Sequence, residues 1–113
     1  MPPLPDMAWQ YITVHGADIA YAVTGTGEPV VLVHGGDANS EHWAFQVLAL
    51  ADHYQVILLD SRGHGRSPYT GFPLTYVQLA DDGLALLDHL GVERPALVGW
   101  SDGGIIGIDL ALR

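Results

Sequence analysis

Gly99-Trp100-Ser101-Asp102-Gly103-Gly104 separates the last strand-like run of this sequence from its last helix-like run. It fits G-x-S-x-G, a pattern that sets a serine on a sharp turn between a buried strand and a helix. The context on both sides agrees. Pro95 to Val98 reads as a short apolar strand, and Asp102 to Arg113 begins an apolar helix. Glycines at 99 and 103 leave room for a strained turn held close between the two elements. A serine hydroxyl is a poor nucleophile until a neighbouring base takes its proton, so the turn alone does not complete a site.

Upstream, strands and helices alternate. Trp9 to Val14 and Ile19 to Thr24 read as strands, with His15-Gly16-Ala17-Asp18 as the loop of a hairpin. Gly25-Thr26-Gly27-Glu28-Pro29 is a turn signal, and Pro29 can open a strand but not sit within a ladder. The next strand is therefore placed at Val30 to Val33, whose unbroken apolar run predicts burial on both faces. After Gly35-Gly36, Asn39 or Ser40 can cap a helix running to about Ala51, with Trp43, Val47, Leu48 and Ala51 on its apolar face. Gln55 to Leu59 is another buried strand. Thr75 and Gln78 read as a capping box with Leu74 and Leu79 as its hydrophobic staple. Tyr76, Leu79, Ala80, Leu84, Leu87 and Leu90 then trace a helical core stripe, closed by Gly91. From residue 29 onward this pattern predicts βαβ units and a mainly parallel sheet, with the first two strands as an antiparallel edge.

Composition narrows the function classes. The chain has 113 residues, 49% of them hydrophobic, which suits one small domain. Formal net charge is -9, there is no lysine, and the only basic residues are Arg62, Arg66, Arg94 and Arg113. No basic run exists to displace the counterions of a nucleic acid, and an acidic surface suits anionic membranes no better. The absence of cysteine excludes disulfides, thiol nucleophiles and Cys-based metal sites. No H-x-x-x-H spacing suggests a histidine metal site, and no cofactor motif is present. Residues 1–8 read as a loose Pro-rich arm without the features of a signal peptide. No apolar run reaches the roughly 18 residues needed to span a bilayer. The expected setting is cytoplasmic.

Three blocks carry chemistry. In the first, Ser101 is the candidate nucleophile. The Asp102 N–H, at the positive end of the following helix, is a candidate oxyanion donor. In the second, Val33-His34-Gly35-Gly36-Asp37 places bare backbone N–H groups at the end of a buried strand, with Gly36 as the second donor. The third is the glycine-punctuated loop Asp60-Ser61-Arg62-Gly63-His64-Gly65-Arg66-Ser67.

Together, in this order and spacing, these blocks resemble the N-terminal part of an α/β-hydrolase-fold protein over about residues 9 to 113. The resemblance implies an α/β fold whose mainly parallel sheet starts with an antiparallel hairpin and carries helices on both faces. It implies hydrolysis of an ester or related acyl bond of a small molecule through an acyl-enzyme on Ser101. The form of the elbow is closer to small-substrate hydrolases of the family than to large lipases. A serine rather than an aspartate at 101 argues against the alkyl-enzyme chemistry of epoxide hydrolases and haloalkane dehalogenases. The family's acid and histidine follow the elbow, and nothing follows Arg113 in this sequence. The chain is thus read as incomplete at the C-terminus, with no base among the carried-over residues.

Other residues carry lesser expectations. His34, Asp37 and Trp100 are candidate pocket-lining residues. His34 and His64 are read as structural or pocket-lining rather than as a base. Trp43 and Trp100 are read as core in preference to pocket wall, and Asp60 and Arg62 as braces of their loop. The Asp102 carboxylate could favour a cationic substrate group or simply stabilise its helix through the dipole. A non-catalytic fragment and a ligand-binding member of the fold are the competing functional readings. Strand 95–98 is expected to lack its outer neighbour, which predicts that the isolated chain self-associates through an apolar edge or exists only within a longer polypeptide.

Overall fold

The two apolar runs at 30–33 and 56–59 lie side by side in parallel, paired from Val30↔Val56 to Val33↔Leu59. They form the middle of a five-stranded sheet whose strands lie in the order 10–14, 17–24, 54–59, 28–33, 96–99. The computed structural model describes residues 7–35, 39–67 and 75–112. Its strands are β1 (Gln10–Val14), β2 (Ala17–Thr24), β3 (Glu28–Val33), β4 (Tyr54–Leu59) and β5 (Ala96–Gly99). A 3-10 turn at Ser40–Trp43 leads into helix α1 (Ala44–Leu50), and α2 (Tyr76–Leu90) and α3 (Asp102–Ala111) follow. β1 and β2 are antiparallel, as the hairpin reading requires, and β3 is parallel to both β4 and β5.

Alternation along β3 and β4 divides the core in two. Val31, Val33, Ile57 and Leu59 meet Leu79, Ala80, Leu86, Leu87, Ile106 and Leu110 of α2 and α3. Val30, Leu32, Val56 and Leu58 meet Trp43 and Val47 on the opposite face. Strands buried on both faces need helices on both faces, and the chain supplies them. Met7 and Trp9 pack on the α1 side, so the described end of the expected arm lies against the core.

Several boundaries differ from expectation for local reasons. The hairpin turns on two residues, not four: His15 and Gly16 have φ of 48° and 77°, the sign that a type I′ turn demands at both positions. Ala17 and Asp18 therefore join β2, opposite Val14 and Thr13. Pro29 lies inside β3, opposite Gln55, but β5 begins only at Ala96, opposite Val30. Its missing N–H thus falls where β3 has one neighbour. β5 is displaced by one residue, beginning after Pro95 and taking in Gly99. Leu48 is exposed, because Trp43, Ala44 and Val47 already define the buried stripe of the 3-10 turn and α1. Thr75 does cap α2, its Oγ1 accepting the Gln78 N–H at 3.1 Å. The reciprocal half of the box is not made, since the Gln78 amide donates to Asp82 at 3.1 Å instead. Leu74, the other half of the expected staple, lies outside the described residues. Gly91 ends α2 in the left-handed region at φ 71°.

Candidate active site

β3, β4 and β5 run parallel, so their C-terminal ends open on one edge of the sheet, where ligand sites of open α/β sheets form. Three loops meet there. The first begins with His34 and Gly35, the second spans Asp60 to Ser67, and the third is the turn from β5 into α3.

Ser101 occupies that turn with φ 56° and ψ -117°, one of two non-glycine residues with positive φ among the described residues. At two positions of the turn, Gly99 and Gly103, a β-carbon could not be accommodated. On Gly99 it would overlap the Gly103 carbonyl, and on Gly103 it would overlap the Val33 carbonyl. Trp100 N–H also bonds the Val33 carbonyl at 3.2 Å, which ties the turn to the end of β3. Serine is a favoured helix N-cap because its hydroxyl can accept an N–H from the first turn. Ser101 stands at the N-cap of α3 yet makes no such side-chain bond. Its side chain is exposed and its hydroxyl is not committed to the helix. Asp102 is the first residue of α3, where a backbone N–H has no intrahelical partner.

The Asp102 carboxylate faces neither solvent alone nor its own helix. Tyr76, at the start of α2, donates its hydroxyl to Asp102 Oδ1 at 2.7 Å. This bond holds the Tyr76 phenol above its ordinary value, so the proton stays on the donor. Sequence reasoning placed Tyr76 on the core stripe. It is exposed instead, and its spacing of 26 residues from Asp102 gave no local signal.

His34 is only 1% exposed. Its Nδ1–H donates to the Gly35 carbonyl at 2.7 Å, and its Nε2 accepts the Ser61 N–H at 2.9 Å. Both ring nitrogens are thereby used, Nδ1 within the first loop and Nε2 to tie that loop to the second. Burial lowers its pKa below the usual imidazole value. His64 donates Nδ1–H to the Arg62 carbonyl at 3.0 Å, and its ring lies 5.1 Å from that of His34. With Asp102, these two histidines line a cavity of about 20 Å³.

The second loop is braced as expected. Asp60 accepts the Ser40 N–H at 2.8 Å and the Arg66 N–H at 2.9 Å, so one buried carboxylate joins the 3-10 turn to its own loop. Arg62 reaches Asp82 of α2 through Nε at 3.0 Å and Nη2 at 2.9 Å. It also donates to the Val14 and His15 carbonyls. Asp82 is a buried acid that the sequence reading missed, although its spacing from Leu79 and Leu86 puts it on the stripe that faces the core.

Trp43 is core, but Trp100 is not: it is 52% exposed. Its indole covers Gly35 and, with His42, Trp43, Gln46, Val98 and Gly99, lines a groove of about 430 Å³ beside the elbow. A larger groove of about 530 Å³ lies at the other end of β5, around Arg94 and Pro95, away from the serine. Gly36 and Asp37 lie outside the described residues. Among the described residues, no group of three His, Asp or Glu side chains is placed to hold a metal, and no helix is long and apolar enough to cross a membrane.

A family model described as the alpha/beta hydrolase fold matches residues 28–113. A provisionally named carbamate hydrolase of Azorhizobium caulinodans is 41% identical over 100 residues, covering 87% of this chain and 38% of the relative. A solved N-acyl homoserine lactone degrading enzyme is similar with a TM-score of 0.88 and 38% identity, covering 91% of this chain and 40% of that one. An epoxide hydrolase of Vigna radiata has a TM-score of 0.87 at 31% identity, over 94% of this chain and 35% of its own. The chain thus spans about two fifths of the length of such relatives.

Proposed function

The chain belongs to the α/β-hydrolase family, and from that membership we propose that the whole protein is a serine hydrolase acting on an ester or related acyl bond of a small molecule. The observation that carries the reading is Ser101 itself. It holds a strained backbone at a helix N-cap while its hydroxyl caps nothing. Strain of this kind costs on the order of 1–3 kcal/mol and persists where the surroundings enforce it. Here the backbone is closely packed around the turn, Gly103 against Gly99 and Val33 against Gly103, with the Trp100 N–H bonded to the Val33 carbonyl.

In the proposed reaction Ser101 Oγ attacks the acyl carbonyl carbon and loses its proton to a general base. The oxyanion is held by the Asp102 N–H and by the Gly36 N–H. Collapse of the tetrahedral intermediate expels the leaving group and leaves the acyl group on Ser101, from which water releases it. His34 is unsuited to act as the base, since both its nitrogens bond backbone groups and burial disfavours its charged form. We assign the base and its orienting acid to residues outside these 113, in keeping with the greater length of the relatives. The groove beside Trp100 and Val98 is the proposed acyl or leaving-group wall. The names of the carbamate and lactone relatives fit attack at an acyl carbon. A serine in place of a carboxylate nucleophile separates the chain from the chemistry of the epoxide neighbour.

The test is covalent. The whole protein treated with a fluorophosphonate should gain one adduct, mapped to Ser101, and should turn over p-nitrophenyl acetate. Ser101→Ala should lose both. A variant that keeps wild-type turnover, or an adduct on another residue, would sink the proposal.

For the 113-residue chain on its own we also propose self-association through β5. That strand pairs with β3 alone among the described strands, and Val98, Trp100, Ile105 and Ile108 leave exposed apolar surface along it and α3.

A further inference from the structure

We propose that Tyr76 is a positioning residue for the oxyanion site, acting by holding the Asp102 carboxylate on the α2 side of the elbow, away from the developing negative charge. This rests on the reading of Ser101 as nucleophile and of the Asp102 N–H as oxyanion donor.

The difficulty Tyr76 resolves is electrostatic. Asp102 offers its backbone N–H to an oxyanion while carrying a full negative charge on the same residue. Like charges oppose one another, most strongly when water is displaced by substrate. A free aspartate side chain at the first position of a helix samples several rotamers, some of which bring the carboxylate towards the serine. In the structure Oδ1 accepts the Tyr76 hydroxyl at 2.7 Å, a contact that favours one of these rotamers. A hydrogen bond to a charged acceptor is stronger than a neutral one, and the donor's dipole offsets part of the carboxylate's charge.

The donor is itself well placed. Thr75 caps α2 immediately before Tyr76, and Leu79, one turn on, is buried in the same cluster as Ile106 of α3. Tyr76 and Asp102 therefore stand on the first turns of two helices that pack against each other. Leu79, Ile106 and Asp102 also line the same small cavity beside His34. Helix packing sets where the phenol sits, and the phenol sets where the carboxylate points.

The test is a double-mutant cycle in the whole protein, with p-nitrophenyl acetate as substrate. Tyr76→Phe should lower kcat roughly three- to tenfold with little change in KM. Asp102→Asn removes the charge, so adding Tyr76→Phe to it should cost nothing further. The loss caused by Tyr76→Phe should shrink as ionic strength rises. A merely structural tyrosine would lower the thermal midpoint and cost the same in either background, at any salt concentration. Wild-type kcat in Tyr76→Phe, or an equal loss in the Asp102→Asn background, overturns the inference while fluorophosphonate labelling of Ser101 remains. If Ser101 is not labelled, the nucleophile reading falls and this inference falls with it.

Discussion

The carbonyl oxygen of Val33 occupies the space that a β-carbon on Gly103 would need. The end of β3 and the start of α3 are thus in backbone contact, and the elbow exists because residue 103 has no side chain. Gly103→Ala should destabilise the whole protein by about 1–3 kcal/mol, as overpacking does, and should depress turnover with it. Gly104, one residue on, is the control: a β-carbon there meets nothing nearer than the Gly99 carbonyl oxygen at 3.9 Å. Gly104→Ala should be neutral or gain up to about 1 kcal/mol from helix propensity. Urea midpoints of the two variants check the contrast, and equal losses would refute it.

Arg62 and Asp82 form a bidentate pair in which both side chains are almost wholly buried. Removing one member strands the other's charge. Arg62→Met should therefore cost about 3–5 kcal/mol of unfolding free energy, a large share of what a small domain has. His15 also approaches Asp82, at 3.4 Å, but from a half-exposed position. His15→Asn keeps a residue that tolerates positive φ and should shift stability by no more than about 0.5 kcal/mol. Chemical denaturation of the two variants tests the ranking.

Period and punctuation made the sheet legible. The runs at 30–33 and 55–59 are too uniformly apolar for a one-sided strand, and each is followed by a glycine-bearing loop. The elbow was legible because two close backbone approaches demand glycine at fixed offsets from the serine. The Tyr76–Asp102 bond was not legible, since it joins residues 26 apart and depends on how two helices pack. Trp100 is not core, the preferred of its two readings, because its position past the end of β5 leaves it half-exposed beside the groove. Asp82 was overlooked although its helical spacing from Leu79 and Leu86 marked it. A charged residue on such a stripe calls for a buried partner, and Arg62 in the loop after β4 supplies it.

Burial lowers the His34 pKa below 6.5, and the sign of its effect on stability follows from linkage. Above 6.5 the ring is neutral both folded and unfolded, so His34 contributes no pH dependence. As pH falls below 6.5 the unfolded chain takes up a proton that the folded chain refuses, so stability is lost until the lowered folded value is reached. Protonation would also remove the Nε2 lone pair that accepts the Ser61 N–H. His34→Gln should be less stable at pH 7 by about 1–3 kcal/mol. It should nevertheless lose less than the wild type between pH 7 and pH 5. Identical slopes in paired denaturation series would show that His34 does not titrate in this window.

Val98 is 39% exposed on β5, a strand that pairs with β3 alone among the described strands. A strand edge offers unpaired N–H and C=O groups in register, and the exposed Ile105 and Ile108 of α3 add apolar surface beside it. Such an edge recruits another strand unless charge or a bulge blocks it. The isolated 113-residue chain should therefore sediment as a dimer or larger species that retains β-sheet circular dichroism. Val98→Lys places a charge at the edge without touching the β3–β4 core, and should shift the distribution towards monomer at unchanged secondary structure. A wild-type chain that stays monomeric and soluble across the micromolar range would refute the edge argument. Association that Val98→Lys leaves intact would move the contact away from β5 and onto the apolar face of α3.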